Sequence, residues 1–216
     1  MEAAVRRLSS LSACLVSDAL DKLGLRGATV GLHSVTIPAQ VAGRVLTMRL
    51  GPRDESMPHR QLGGRAITSA NSGDIIVVEH RGRDDVSGWG GLLSRAAKLK
   101  GVAGVIIDGA CRDVDEVSAL GLPLFSRAAV PVSARGRISE LAYDEPIVIC
   151  GVTVRPKDFV IADGSGVVFI CAEKIDAVLD CAEDIAEKEA LIADAIDRGE
   201  PLDKAMASKY AALTER

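Results

Sequence analysis

The alternation of strand-like and helix-like segments between residues 75 and 125 constrains the fold more than any other feature of the chain. Residues 75–79 and 102–107 are runs rich in valine and isoleucine, which is typical of buried strands. Between them we predict a helix at residues 92–100 that Gly101 ends. A short helix through Leu120 and a strand at residues 122–125 follow. This order predicts an α/β fold whose sheet is at least partly parallel.

The segments on either side extend this prediction. A helix is expected over residues 12–23 and another within 59–70, and strands are expected at 41–50, 147–154 and 159–170, with a turn at 163–166. The charged residues 80–87 are expected to form a loop. An amphipathic helix starts at Glu173 and is broken at Gly199. We therefore divide the chain into an α/β domain, 1–172, and a helical C-terminal extension, 173–216, packed on the core or on a neighbouring subunit.

Composition excludes several classes of protein. A formal net charge of −4 argues against binding to nucleic acid through its phosphates. The five cysteines are scattered without a C-x-x-C pair, which indicates reduced thiols in a cytoplasmic protein. No apolar run approaches the ~20 residues of a membrane-spanning helix. The segment after Arg6 and Arg7 contains several serines, so it is not apolar enough to be a signal peptide. We expect a cytoplasmic protein that binds neither nucleic acid nor membrane.

A glycine-rich turn precedes the helix at 92–100. Gly88, Trp89, Gly90 and Gly91 follow a strand and open a helix, so backbone N–H groups without partners point together at the positive end of the helix dipole. Such a turn can bind a carboxylate or a phosphate. The alternative is a tight turn that binds nothing. Neither G-x-G-x-x-G nor the Walker pattern is present, so no motif supports nucleotide binding.

A second polar segment, from Asp108 to Asp113, follows the next buried strand. Arg112 could bind a carboxylate with both guanidinium nitrogens, and Asp113 could hold a hard divalent cation largely through water. The alternative is that Asp113 merely caps the helix that follows. Because the carboxyl ends of neighbouring parallel strands lie side by side, this segment and the glycine turn should converge.

Other catalytic chemistries have little support in the sequence. His33, His59 and His80 lack the spacing of zinc ligands, and His80 is expected on the surface. Gly164-Ser165-Gly166 lacks the first glycine of a nucleophile elbow. If a carbanion forms, a metal ion is the better candidate to stabilise it.

Four segments together closely resemble the family that contains 4-hydroxy-4-methyl-2-oxoglutarate aldolases and the regulator of ribonuclease E activity A. They are residues 17–24, 73–78, 89–93 and 105–113. The likeness extends from about residue 11 to residue 189. It implies a swivelling β/β/α fold (RraA-like), a homotrimer or dimer of trimers, and sites near subunit boundaries.

The resemblance also implies roles for individual residues. Gly90, Gly91, Leu92 and Leu93 correspond to the substrate loop, Arg112 to the substrate-binding arginine, and Asp113 to the aspartate that binds Mg²⁺ or Mn²⁺. With Arg112 and Asp113 as the catalytic pair, the implied activity is a class II pyruvate aldolase. It would cleave 4-hydroxy-4-methyl-2-oxoglutarate or 4-carboxy-4-hydroxy-2-oxoadipate through an enolate and also decarboxylate oxaloacetate.

The sequence departs from the family pattern at one site position. Many aldolase members have an acidic residue where this chain has Gly91. In the family an acid from a neighbouring subunit's C-terminal helix also approaches the metal's water, and Glu187 and Glu189 are the candidates here, with a solvated helix face as the alternative. The competing function is a non-catalytic regulator that binds and inhibits ribonuclease E, although Asp113 favours the aldolase branch.

Overall fold

The valine- and isoleucine-rich runs form the centre of one mixed sheet. The computed structural model describes residues 2–53, 55 and 62–207. Its strands are β1 (His33–Ser34), β2 (Val41–Pro52), β3 (Ile75–Ser87), β4 (Gly104–Cys111), β5 (Leu124–Ala129), β6 (Ile138–Tyr143), β7 (Ile147–Ile149), β8 (Val152–Val154), β9 (Phe159–Asp163) and β10 (Gly166–Ile170). The large sheet has the order β1-β5-β4-β3-β2-β9-β10, with β6 also paired to β2, whereas β7 and β8 form a separate hairpin.

Helices connect the strands and flank the sheet. They are α1 (Glu2–Ser9), α2 (Ala13–Lys22), α3 (Gly64–Ser69), α4 (Gly91–Leu99), α5 (Val114–Ala119), α6 (Ile175–Asp197) and α7 (Leu202–Ala207), with a 3₁₀ turn at Ala172–Lys174 before α6. The predicted helix at 12–23 is α2, which Ser12 caps through its side chain. The predicted helix at 59–70 is the shorter α3, and residues 59–61 lie outside the described residues. In the described part of the chain, no helix is long and apolar enough to cross a membrane.

The predicted parallel sheet is confirmed. Strand β3 pairs in parallel with both β2 and β4, and β4 pairs in parallel with β5. Val77 lies beside Ile106 in the register, and both are fully buried. Helices α4 and α5 are the two crossovers, so the carboxyl ends of β3 and β4 lie side by side and both lead into a helix.

The predicted loop at residues 80–87 is wrong, because strands β3 and β4 both run further than their apolar cores suggest. Residues 80–87 remain part of β3, although the pairing with β4 shifts register after Glu79 and again after Arg83. Arg81 and Gly82 have positive φ angles of 55° and 69°, which mark an irregular excursion from the strand. Most of its charged side chains face solvent, so their polarity resembles that of a loop. Residues 108–111 likewise belong to β4 and are buried.

The predicted strand at 147–154 is two strands. Cys150 and Gly151, both with positive φ (49° and 83°), form the turn between β7 and β8. Positive φ at both central residues is typical of a tight type I′ hairpin. In contrast, the predicted turn within 159–170 is confirmed, since β9 and β10 pair on either side of it.

Helix α6 packs on the same chain through its predicted apolar stripe. Ile175, Val178, Leu179, Ala182 and Ile185 are buried in a cluster with residues of α1, α2, β9 and β10. Arg7 on α1 also makes a salt bridge with both Asp180 and Glu183 of α6. The division of the chain at residue 172 stays a prediction, and residues 208–216 lie outside the described residues.

Candidate functional site

The residues predicted on the glycine turn and on the Arg112-Asp113 segment line one cleft. It has a volume of about 510 Å³ and lies where β3 and β4 lead into α4 and α5. The residues of the glycine turn, Gly90, Gly91, Leu92 and Leu93, form one side, and Arg112 and Asp113 form another. The convergence expected from parallel strand order is therefore present.

Backbone hydrogen bonds join the two segments. The Gly88 N–H donates to the Ala110 carbonyl (2.9 Å), and the Arg112 N–H donates to the Trp89 carbonyl (3.0 Å). These bonds continue the β3–β4 pairing beyond the regular ladder. The glycine turn and the Arg112-Asp113 segment are consequently held in a fixed relative position by main-chain atoms.

The buried indole of Trp89 holds the glycine turn in place through hydrogen bonds with Ser94. Its ring is 1% exposed, and its Nε1–H donates to Ser94 Oγ at 2.9 Å. The Ser94 hydroxyl in turn donates to the Gly90 carbonyl at 3.0 Å. Gly90 occupies the N-cap position of α4 with extended backbone and offers no side-chain cap, so the first N–H groups of α4 depend on other partners.

Asp113 supplies one such partner. It precedes α5 with a left-handed φ of 59°, and its side chain makes no capping bond to α5. Instead its Oδ2 accepts the Gly91 N–H at 2.9 Å, so the carboxylate caps α4 across the cleft. Asp113 does occupy the N-cap position of α5, as the alternative expected, but its side chain caps α4 and not its own helix.

Arg112 binds the same carboxylate. Its Nε donates to Oδ1 and Oδ2 of Asp113 at 3.0 and 3.1 Å. Partial burial acts to raise the pKa of Asp113, but hydrogen bonds from the Gly91 N–H and from Arg112 outweigh it and hold the pKa below its ordinary value. Asp113 is therefore ionised at neutral pH, and its negative charge faces a cleft that also contains a guanidinium.

Two charged side chains that were not predicted also line the cleft. Glu116 lies in the first turn of α5, one helical turn after Asp113, and that spacing could have revealed it. Arg135 comes from the segment between β5 and β6, and no local sequence signal marks it because only tertiary packing brings that segment to the cleft.

His80 was expected on the surface, and this expectation is wrong. The ring is 1% exposed, and its Nε2 lies 2.8 Å from the Val86 carbonyl, while Nδ1 has no hydrogen-bond partner among the described residues. Burial lowers the pKa of His80 below its usual value. The excursion of β3 returns over the ring, and Gly109 leaves room for it, since a Cβ there would lie 2.6 Å from His80 Cδ2.

Glu187 and Glu189 do not line this cleft. Both are exposed on α6, whose buried face packs on the N-terminal helices and on β9 and β10. A role for either glutamate in the site of a neighbouring subunit stays a prediction.

The donor set of the cleft restricts the kind of metal it can hold. In the ranges that the structure describes, no three His, Cys, Asp or Glu side chains come together to hold an ion. A fully protein-chelated metal, such as structural zinc, therefore does not fit. A hard cation that keeps most of its water and binds through one or two carboxylates does fit, because Asp113 and Glu116 both reach the cleft.

A family comparison identifies the relatives of this chain. The model of the RraA-like family, described as Aldolase/RraA, matches residues 13–169. The chain belongs to the RraA-like family.

Several known proteins resemble it along much of its length. Protein DlpA of Legionella pneumophila is 26% identical over 201 residues, which are 93% of this chain but only 33% of DlpA, so the chain spans about a third of that protein. A 4-hydroxy-4-methyl-2-oxoglutarate aldolase of Thermus thermophilus is 32% identical over 133 residues, or 61% of this chain and 76% of the relative. The solved structure of Streptomyces coelicolor RraAS2, described as an unusual member of the RNase ES inhibitor RraA protein family, superposes with a TM-score of 0.81. It is 28% identical and covers 88% of this chain and 95% of its own, which confirms the expected RraA-like α/β fold.

Proposed function

We propose that this protein is a class II pyruvate aldolase that cleaves 4-hydroxy-4-methyl-2-oxoglutarate or 4-carboxy-4-hydroxy-2-oxoadipate and decarboxylates oxaloacetate. The observation that carries the proposal is the junction of Gly91, Arg112 and Asp113, in which one carboxylate is bonded to a helix N-terminus and to a guanidinium at the edge of an open cleft. The similarity to an aldolase of Thermus thermophilus supports it.

The residues that line the cleft have distinct chemical roles in this proposal. The N–H groups of Leu92 and Leu93, at the positive end of α4, bind the carboxylate of a 2-oxo acid. Arg112 binds the same carboxylate or the adjacent carbonyl oxygen. Negative charge develops on that oxygen when the 4-hydroxyl group loses its proton to water, C4 leaves as a carbonyl product and the pyruvate enolate is left; with oxaloacetate the leaving group is carbon dioxide. The buried Trp89 keeps the turn rigid, so these donors are already oriented before substrate arrives.

Asp113 is the residue that would hold Mg²⁺ or Mn²⁺. When bound, such an ion supplies Lewis-acid polarisation of a substrate carbonyl. The bond from the Gly91 N–H and the left-handed backbone of Asp113 fix the direction in which the carboxylate faces. Arg112 lowers the charge repulsion between that carboxylate and an anionic substrate.

The proposal is tested by following pyruvate release with lactate dehydrogenase. Both aldol substrates and oxaloacetate are supplied, with Mg²⁺ or Mn²⁺ and with EDTA. We expect EDTA to abolish pyruvate release and added Mg²⁺ to restore it. Asp113→Asn and Arg112→Lys should each lower kcat/KM by about 100-fold or more, because lysine loses the planar fork and asparagine loses the charge.

Two further measurements distinguish this site from a non-specific one. Oxalate, a planar dianion that resembles the pyruvate enolate, should inhibit competitively. Asp115→Asn removes an acidic charge beside the site without touching the Gly91 junction, and it should keep most of the activity. Full activity after exhaustive chelation, or no competition by oxalate, contradicts the proposed mechanism.

A second candidate function is inhibition of ribonuclease E by direct binding. The similarity to Streptomyces coelicolor RraAS2 favours it. It predicts that the protein slows cleavage of an RNA substrate by purified ribonuclease E and that Asp113→Asn inhibits as well as the wild type. An absence of both binding and inhibition would leave the aldolase as the function.

The quaternary structure also belongs to the proposal. We expect a homotrimer or a dimer of trimers with sites near subunit boundaries, as the resemblance to the family implies. Glu187 and Glu189 would then reach a neighbouring cleft. Mixing inactive Asp113→Asn chains with inactive Glu187→Gln/Glu189→Gln chains should restore part of the activity if the site is shared.

A further inference from the structure

His80 is a buried titratable residue that the proposed chemistry of the cleft does not use. The residue is 1% exposed, and in the described part of the chain its Nδ1 has no hydrogen-bond partner. Its Nε2 lies 2.8 Å from the carbonyl oxygen of Val86, which can only accept a hydrogen bond. Nε2 therefore carries the proton, and the ring is a neutral imidazole whose buried Nδ1 is unprotonated.

The ring fills a space between the β3 excursion and β4. A Cβ at Gly109 of β4 would lie 2.6 Å from His80 Cδ2, and a Cβ at Gly88 would lie 3.3 Å from the same atom. The Arg83 carbonyl oxygen closes the space, since it would lie 2.9 Å from a Cβ at Gly109. Two glycines thus leave room for the ring, and one of them, Gly88, is the first residue of the glycine turn.

The residues that return from the excursion lead directly into the glycine turn. We call this segment, residues 84–87, the returning arm. The His80 ring bonds to Val86 within the arm, and the Gly88 N–H directly after it donates to the Ala110 carbonyl at 2.9 Å. The imidazole therefore supports the arm two residues before the turn begins, and a movement of the arm would reach the turn through the main chain.

The charges near the ring are already paired with one another. Burial is the main cause that lowers the pKa of His80, and the positive charge of Arg83 lowers it further. A backbone hydrogen bond and the carboxylates of Asp85 and Asp108 act in the opposite direction. Asp85 is bound to Arg83 at 2.7 Å, and Asp108 is bound to Arg127 of β5 at 2.5 Å. A proton on Nδ1 would consequently create a buried charge whose new N–H has no acceptor, which is costly.

We propose that His80 is a positioning residue for the glycine turn, whose neutral imidazole holds the returning arm in place and whose protonation releases it. The charged ring leaves its buried space and gives up its bond to Val86. The released arm then frees Gly88 and Trp89, so the backbone donors of the cleft lose their fixed orientation in acid. This inference concerns the geometry of the turn and does not depend on which ligand the cleft binds.

The pH range of the release follows from the two environments of the ring. In the released arm the imidazole is in water and has its ordinary pKa of about 6.5, whereas burial lowers the pKa of His80 in the held arm. The held arm therefore has its full stability above about pH 6.5. Below that pH its stability is lost by about 10-fold per pH unit until the lower pKa is reached, because release takes up one proton.

Hydrogen exchange of single amides, measured by NMR, tests the release without any ligand. The Ser87 N–H donates to the Val132 carbonyl at 3.0 Å and exchanges when the arm opens. We expect the protection factors of the Ser87 and Gly88 amides to be constant from about pH 8 to about pH 6.5 and then to fall about 10-fold per pH unit. The Val105 amide, bonded to the Pro123 carbonyl within the sheet, should stay more protected throughout.

Three variants separate the hydrogen bond, the charge and the shape of the ring. His80→Gln keeps an N–H donor but cannot titrate in this range, so protection of the Ser87 amide should be retained and its pH dependence lost. His80→Phe keeps a planar ring without a donor and should lower that protection by roughly 2–10-fold at every pH, the effect of one lost hydrogen bond. The matched control is His33→Gln, which removes an exposed histidine and should keep the wild-type profile.

A direct titration of the wild type decides the matter even if a variant fails to fold. Spectra of the protein with ¹⁵N-labelled histidine should show the His80 ring protonated at Nε2 and unprotonated at Nδ1 near neutral pH. The ring should take up its second proton below about pH 6.5, over the same range in which the Ser87 amide loses protection.

Several results would overturn the role of His80. They are Ser87 protection that stays constant down to about pH 5, a pH dependence that persists in His80→Gln, and a His80 ring that titrates at or above about pH 6.5. If the Ser87 and Val105 amides have equal protection and lose it together, the proton acts on unfolding of the whole domain, and release of the arm is refuted. None of these measurements uses substrate or metal, so the proposed function stands or falls by its own tests.

Discussion

Ser94 connects the stability of the fold to the shape of the cleft, and its hydroxyl can be removed with little change in volume. In Ser94→Ala the buried indole N–H of Trp89 loses its acceptor, which lies 2.9 Å away in the wild type. The Gly90 carbonyl keeps the Ser94 N–H as a donor at 3.0 Å, so only one buried polar group is left without a partner. Leaving such a group unsatisfied costs about 1–3 kcal/mol. We expect the free energy of unfolding to fall by about 2 kcal/mol.

The assay uses the single tryptophan as its own reporter. Urea unfolding followed by Trp89 fluorescence gives the change in the free energy of unfolding. Thermal unfolding should shift by about 4–8 °C for a chain of this length. The control is Ser118→Ala, which removes a hydroxyl that donates to the Val114 carbonyl on the same helix and should change stability by less than about 0.5 kcal/mol. If Ser94→Ala is as stable as this control, the indole N–H is not buried against Ser94 in solution, and the rigid glycine turn is refuted.

Three other outcomes follow from burial and charge. Phe125→Ala should lower the free energy of unfolding by about 3–5 kcal/mol, because the ring is 0% exposed in the sheet core. In the same urea titration, Leu99→Ala should change it by less than about 0.5 kcal/mol, because the Leu99 side chain is 86% exposed. Burial, followed by the nearby charge of Asp108, raises the pKa of the Cys150 thiol to about 11, so mass spectrometry should show its alkylation accelerating as pH approaches that value. Since the pKa in the folded state lies above the ordinary value, the stability contributed by the neutral thiol is complete below pH 9 and should decline as pH rises through about 11. A Cys150→Ser variant that loses as much stability over this pH range would contradict this assignment to Cys150.

Much of the site could be predicted because its positions are determined by chain order. Strand, helix and strand in succession require a crossover, and the two segments that follow neighbouring parallel strands must meet at one edge of the sheet. Gly90, Gly91, Arg112 and Asp113 each follow such a strand. Their convergence on one cleft needed no knowledge of distant contacts, and the same is true of the turn within 159–170.

What the sequence could not determine depends on segments that meet only in the folded protein. The charged residues of the β3 excursion resemble a loop in the sequence, because charged side chains indicate exposure to solvent. Strand pairing nevertheless continues through main-chain hydrogen bonds, which the side-chain pattern does not indicate. His80 is buried because that excursion returns over it and Gly109 leaves space. Arg135 reaches the cleft from a distant segment, and the Glu116 carboxylate takes the place of a side chain at Gly91. A sequence pattern carries information about the segment in which it lies. The patterns therefore predicted the parallel sheet and the two segments of the site. Only tertiary packing decided which other charges share the cleft, because burial and contact are properties of pairs of segments that are separated in the chain.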